Sequence, residues 1–263
     1  MIMGTIRTAV ARIAAALVVA AVAITPCAAI EFDELDKPPE GAHKGQMFLG
    51  VVISVGAPSG ELVDAETAFV DGSTYTFENE VTKQLKVSHL FFGVGASFEY
   101  MPIDHVGAKT RAMQTIVVQR TEFGTDYENW RENLYTCGAI YAGPAFHLTT
   151  RRSWDVTLAA LAGYGWGEYA ATPVAKKLIE NYTGENKKTA SSFTYLVELA
   201  FCAYFSGGLY FSIGGEFISY AVDFGKPFEL VNPQTQKKYY EGKSAGAITS
   251  VNCVLSIGYA FSN

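Results

Sequence analysis

Glu198 and Glu216 are the residues of this chain best spaced for shared chemistry. They flank the turn Ser206-Gly207-Gly208. If Phe205 and Leu209 point the same way at its two ends, the carboxylates fall directly opposite each other. Carboxylates at cross-strand distance repel, and they need a cation or a shared proton. Arg111 is the candidate cation. Two readings stay open: a paired-carboxylate site, or a structural network filling a narrow interior, which the count of such networks in small barrels favours. His147 and Asp155 form a second pair, read as opposite each other across Thr149 to Ser153. A His–Asp pair invites a nucleophilic triad, but no serine is placed by sequence to complete it, so the pair reads as a packed ion pair. His89 and Glu99 share the same inward parity and join this polar set. No residue takes a catalytic, cofactor-binding or metal-ligating role, and no cofactor is expected.

These groups need elements to hold them, and the pattern of those elements is alternation. In LSIGYAF (Leu255 to Phe261) every second residue is large and apolar, and the residues between are Ser256, Gly258 and Ala260. A strand sends alternate side chains to opposite faces. Eight segments follow this rule: about 46–56, 87–100, 109–119, 134–148, 154–167, 193–205, 209–221 and 247–261. In the second, Leu90, Phe92, Val94, Ala96, Phe98 and Tyr100 face out. The third is the most blurred, with Ala112, Ile116 and Val118 outward. Short connections follow the second, fourth and sixth segments; the longer ones cover 57–86, 120–133, 168–192 and 222–246.

The fifth segment decides between two kinds of barrel. Trp154, Val156, Leu158, Ala160, Ala162, Tyr164 and Trp166 line one face; Asp155, Thr157, Ala159, Leu161, Gly163, Gly165 and Gly167 line the other. A soluble, lipocalin-type barrel would carry several charges on its polar face. Here that face is small, with one charge, so it reads as an interior. The apolar face reads as a lipid band, with Trp154, Trp166, Tyr164, Tyr259 and Phe261 as its aromatic girdle. The fold expected is all-β: a closed antiparallel eight-stranded transmembrane β-barrel over residues 46–263.

The start of the chain reads as a signal peptide over residues 1–29, with Arg7 and Arg12, the apolar run Ile13 to Ile24, and Cys27-Ala28-Ala29 before cleavage. A lipidated Cys27 is the competing reading, and Pro26 argues against it. Residues 30–45 then form a polar, mobile periplasmic lead-in. The formal charge is −6, and loss of the two signal arginines takes it to −8, which disfavours nucleic acid as a partner. Cys137, Cys202 and Cys253 lie in apolar strand patterns without metal-ligand spacing and read as small buried hydrophobes. The pairs Lys176-Lys177, Lys187-Lys188 and Lys237-Lys238 fall in the long loops, where they are solvated or grip anionic headgroups. Asn181-Tyr182-Thr183 is read as a chance sequon.

The signal peptide, the eight-strand rhythm, the alternating loop lengths and the closing aromatic strand resemble the small outer-membrane barrels of Gram-negative-type bacteria. These include the OmpA membrane domain, OmpX, OmpW and the opacity-type adhesins. The resemblance spans the mature chain and is architectural. Its one local motif is the closing strand, and here Ser262 and Asn263 follow Phe261 where that group ends on the aromatic. The resemblance implies an outer-membrane location, both termini in the periplasm, outer-membrane lipids around the wall, and insertion by the barrel-assembly machinery through the last strand. Some barrels of this kind are enzymes, with their chemistry on the lipid face or at the outer rim. No His or acidic residue falls on the lipid face of the eight segments, so a non-enzymatic role is expected and an enzyme is the lesser reading. Two non-enzymatic roles stay open: surface interaction with a surface or host ligand at the long loops, or an OmpW-like conduit for a small hydrophobic ligand. Phe91, Leu161 and Leu196 point inward and either line such a conduit or plug it.

Overall fold

The computed structural model describes residues 41–60, 67–70, 73–76, 86–123, 129–171, 183–184, 187–225, 229–231, 236, 238–241 and 245–262. The signal peptide, the lipidation question at Cys27 and the lead-in up to residue 40 lie outside them. Eight strands close into one antiparallel barrel: β1 (Gln46–Ser59), β4 (Lys86–Ile103), β5 (Val106–Phe123), β6 (Asn129–His147), β7 (Trp154–Ala171), β9 (Lys187–Tyr204), β10 (Leu209–Asp223) and β13 (Ala245–Ser262). Each pairs with its neighbours in chain order, and β13 closes on β1 from Gln46↔Ser262 to Ser59↔Thr249.

Alternation sets the two faces. In β9, Phe193, Tyr195, Val197, Leu199 and Phe201 are exposed, whereas Ser192, Thr194, Leu196, Glu198, Ala200 and Cys202 are buried. Large exposed apolar side chains occur on seven of the eight barrel strands, among the described residues. A water-soluble monomer does not wrap itself in such a belt, so the soluble reading fails and the exterior is a lipid-facing wall. Trp154 and Trp166 are both exposed at opposite ends of β7, and Tyr164 is exposed beside Trp166. Tyr259 and Phe261, half-buried, stack with ring centroids 6.4 Å apart at the end of β13.

The register also fixes the tilt. The hydrogen-bonded row leaving Trp166 passes through Gly138, Gln114, Val94, Ile53, Leu255, Ile213 and Phe201, and returns to β7 at Val156, ten residues earlier. At ~3.3 Å per residue and ~4.8 Å between strands, that stagger over eight strands tilts them by ~40° and lowers the row by ~3 Å per strand. Leu255, five strands along, therefore sits ~15 Å below Trp166, close to the middle of the belt.

Several expectations need correction. The strands outrun the predicted segments. The 120–133 connection shrinks to residues 124–128, because β5 and β6 stay paired out to Phe123↔Asn129. Lys187 and Lys188 belong to β9 rather than to a loop, and Lys238 opens a short strand, β12 (Lys238–Glu241); Lys176, Lys177, Lys237, Asn181 and Tyr182 lie outside the described residues. The end of the lead-in is packed: Ala42 is buried, its carbonyl accepts from Arg151 N at 3.0 Å, and Asp104 Oδ1 accepts from Lys44 N at 2.8 Å. Cys253 faces outward and is exposed, while Cys137 and Cys202 are buried. Val94 points outward by parity yet is buried, flanked in register by Ile53 and Gln114.

Three of the long connections contribute to a second sheet. Its five strands run β3 (Ser73–Thr76), β2 (Thr67–Val70), β12 (Lys238–Glu241), β11 (Glu229–Val231) and β8 (Thr183–Gly184). The joining pair between the first and last connections is Tyr240↔Ala68, and Leu230↔Gly184 brings in the β7–β9 connection. At the opposite, short-turn end, Gly207 (φ 73°) and Gly208 (φ 86°) let β9 reverse into β10 in the four residues Phe205 to Gly208, with a left-handed backbone that favours glycine.

A charge on the lipid wall should cost according to depth. Leu255→Arg is expected to lose ~2–4 kcal/mol of unfolding free energy in lipid vesicles, and Val251→Arg, four residues nearer the rim, ~0–1 kcal/mol. Urea titrations would measure both, and equal costs would contradict the tilt.

Candidate functional site

The lumen is where the chemistry-bearing residues meet, and it has two halves. The half nearer the short turns is charged. Arg111 projects from β5 across the barrel to β9 and β10, three and four strands away around the wall. Its Nη1 donates to Glu216 Oε2 at 2.7 Å, and its Nη2 donates to Glu198 Oε2. Glu198 and Glu216 are direct cross-strand partners. Lys109 Nζ donates to Glu198 Oε1 at 2.7 Å, and Glu216 Oε1 accepts from Asn252 Nδ2 at 3.1 Å and from Ser54 Oγ. All of these side chains are buried or nearly so.

Lys109 changes the accounting. One compensating cation was expected, and there are two against two carboxylates, so the group is balanced. Its signal was present: Lys109 shares the odd parity of Arg111 on the same strand, but it sat at the edge of the segment with the weakest alternation.

The second cluster is a clamp. His147 Nδ1 lies 2.5 Å from Asp155 Oδ2, and Nε2 lies 2.6 Å from Glu99 Oε1. The expected cross-strand pairing is corrected here: His147 faces Thr157, and Asp155 is its diagonal neighbour. The reason is the turn, which closes with Leu148 N donating to Val156 O at 2.9 Å and so moves the register by two without changing parity. Both ring nitrogens are therefore taken up by carboxylates. Neither nitrogen is left to take a proton from a nucleophile, so the clamp is not built as a catalytic base. Asp155 Oδ1 is also committed, accepting from Thr149 N at 2.8 Å and Val156 N at 2.7 Å. Between the clusters lies a cavity of about 30 Å³, lined by Phe48, Glu99, Lys109, Arg111, His147, Glu198 and Tyr210 among others. It has room for about two water molecules.

An apolar floor closes the turn end, where Ala42, Phe48, Met101, Tyr204 and Tyr210 pack together. Tyr210 lies over Gly50 and Gly258 of the two closing strands, which leaves no space for a Cβ at either position. The half nearer the loops is a packed core. Phe91, Leu161 and Leu196 are at most 2 % exposed and pack with Met113, Tyr141, Ile218 and Tyr220. Its hydroxyls satisfy one another: Thr194 Oγ1 donates to Tyr141 Oη (3.2 Å), Tyr141 to Tyr220 Oη (3.1 Å), Tyr220 to Thr115 Oγ1 (3.2 Å), and Thr115 to Cys137 O (3.3 Å). The three apolar residues named as a lining or a plug are buried and packed in one cluster. His89 sits in β4 opposite Gln119, and its side chain lies outside the described residues.

One polar residue was missed altogether. Gln114 lies on the outward face of β5, half-buried, with Gly138 beside it and Trp166 next along the row.

No protein-family model matches the chain, and no curated protein does. Among solved structures the chain is similar to the outer membrane protein OprG from Pseudomonas aeruginosa, at 12 % identity over 86 % of this chain and 100 % of that one, with a TM-score of 0.44. It is similar to Ail, the attachment invasion locus protein of Yersinia pestis, at 13 % identity over 83 % and 99 %, TM-score 0.39. It is also similar to outer membrane protein AlkL, at 11 % identity over 87 % and 96 %, TM-score 0.35. All three are outer-membrane barrels, the group that the strand rhythm resembles. At these values the likeness carries no argument about function, and the fold rests on the register of the eight strands.

Breaking the strut should be costly. Arg111→Ala is expected to lose ~3–5 kcal/mol, because it strands two buried carboxylates. Glu198→Gln should also destabilise, since it leaves two cations against one anion. Adding Lys109→Met to Glu198→Gln should recover part of that loss. Strictly additive losses in a urea series would show that Lys109 does not serve Glu198.

Proposed function

We propose that this chain is a non-enzymatic outer-membrane surface protein, in which the barrel is a sealed anchor and the gathered loop sheet is the interacting part. The observation that carries this reading is the filled lumen. The floor, the charged strut and the apolar plug succeed one another along the axis, and the cavity between the charged clusters has room for only about two waters. A conduit for small hydrophobic molecules needs an apolar funnel, and the space for one is taken by Phe91, Leu161 and Leu196.

The loops supply the second support. Long connections cost conformational entropy to order, yet strands from three of them pair into one sheet. Lys187, Lys188 and Lys238, in strand segments at this end of the barrel, suit an anionic surface polymer or headgroup. In this reading the short turns and both chain ends face the periplasm, the long connections face outward, and the closing strand is the segment that the assembly machinery recognises.

Planar-bilayer recording tests the anchor. The protein is expected to insert without stepwise conductance, and vesicles carrying it should take up a small apolar solute no faster than protein-free vesicles. Steady channel currents, or uptake that Leu196→Ala accelerates several-fold from a high starting rate, would favour the conduit instead.

A further inference from the structure

The outer wall has one interruption, and it lies on β5. Among the described residues, this is the barrel strand without a large exposed apolar side chain; its outward positions are Thr110, Ala112, Gln114, Ile116 and Val118. Gln114 therefore places a primary amide on a face that is largely apolar and aromatic elsewhere. Its Nε2 is buried and has no hydrogen-bond partner. An amide N–H left without an acceptor in hydrocarbon is costly.

The neighbouring position is a notch. Gly138 is the register partner of Gln114 and of Trp166 on its other side, and it too faces outward. A Cβ added there would meet Gln114 Oε1 at 3.4 Å and the indole Nε1 of Trp166 at 3.5 Å. The glycine thus leaves a shallow space with an amide on one side and an indole N–H on the other. A half-turn about the last torsion of Gln114 exchanges Oε1 and Nε2, which leaves the carbonyl oxygen, the group more often under-satisfied in proteins, in the buried position. The amide donor then joins the indole donor over the glycine, and the two suit an acceptor with two lone pairs, which is a carbonyl.

Depth selects the source of that carbonyl. Trp166 belongs to the aromatic girdle at headgroup level. Gln114 lies two strands along the descending row, ~6 Å deeper. That is the level at which a membrane lipid carries its acyl-linkage carbonyls, just below the headgroup. We propose that Gln114, Gly138 and Trp166 form a lipid site on the outer wall that holds the acyl-linkage carbonyl of a membrane lipid.

The proposal rests on the membrane reading, and its test separates the two. The full barrel is refolded into vesicles of a diacyl ester phosphatidylcholine, and into vesicles of the dialkyl ether analogue with the same chains and headgroup. Urea unfolding is followed in each. The ether lacks the carbonyl, so the wild-type folded-to-unfolded ratio should be higher in ester than in ether. Gln114→Leu and Gly138→Leu should each shrink that ester–ether gap by ~2–12-fold, the worth of one hydrogen bond. Gln114→Leu makes the wall more apolar and is expected to fold. An identical gap in wild type and both variants would overturn the site while leaving the barrel in the membrane. A dimer in detergent that Gln114→Leu dissolves would assign the notch to a second copy, and would also overturn it. Failure of the wild type to enter either vesicle would overturn the membrane reading and the site together.

Discussion

A strand in hydrocarbon has no water for its amides, so every N–H and C=O on the wall must find a partner on another strand. That requirement forces closure, and closure here is the pairing of β1 with β13 along fourteen residue pairs. Everything else in the barrel follows from how the ring closes. A stagger of ten residues over eight strands sets a tilt of ~40° and a bore that side chains alone can fill. The residues facing inward must then pack, and any charge among them must be met inside.

The lumen satisfies this in layers. Apolar and aromatic side chains take the ends, where Phe48, Met101 and Tyr210 form a floor and Phe91, Leu161 and Leu196 a plug. Charges take the middle, where Arg111 reaches across the bore to two carboxylates and Lys109 completes the balance. Such a strut ties opposite walls of the barrel. Glycine has a matching role at the seam, because Gly50 and Gly258 leave the space that the ring of Tyr210 occupies.

Much of this was legible in the chain. Period-two alternation gave the eight strands and both faces, and the short glycine turn gave the facing of Glu198 and Glu216, because parity and a tight turn together fix a register. The His147–Asp155 register was misread because a longer turn leaves the offset open by two while keeping parity, and the side chains still met on the diagonal. Lys109 and Gln114 were missed for one reason. Both lie on β5, whose outward face mixes Thr110, Ala112 and Gln114 with Ile116 and Val118, so alternation there could not show where the strand began or which residues it turned toward lipid. The pairing of the loops into a second sheet has no local signal, since it joins segments such as Ala68 and Tyr240 that lie far apart in the chain.

The central claim is that alternate residues of these strands touch lipid while the others touch a filled lumen, and β9 offers the most direct test. A fluorophore placed singly at each position from 193 to 202, after Cys137, Cys202 and Cys253 have been replaced by Ser where they compete for label, can be quenched by lipids brominated along their chains. The account predicts strong quenching at positions 193, 195, 197, 199 and 201 and weak quenching between them. Quenching that does not alternate along the strand would contradict it.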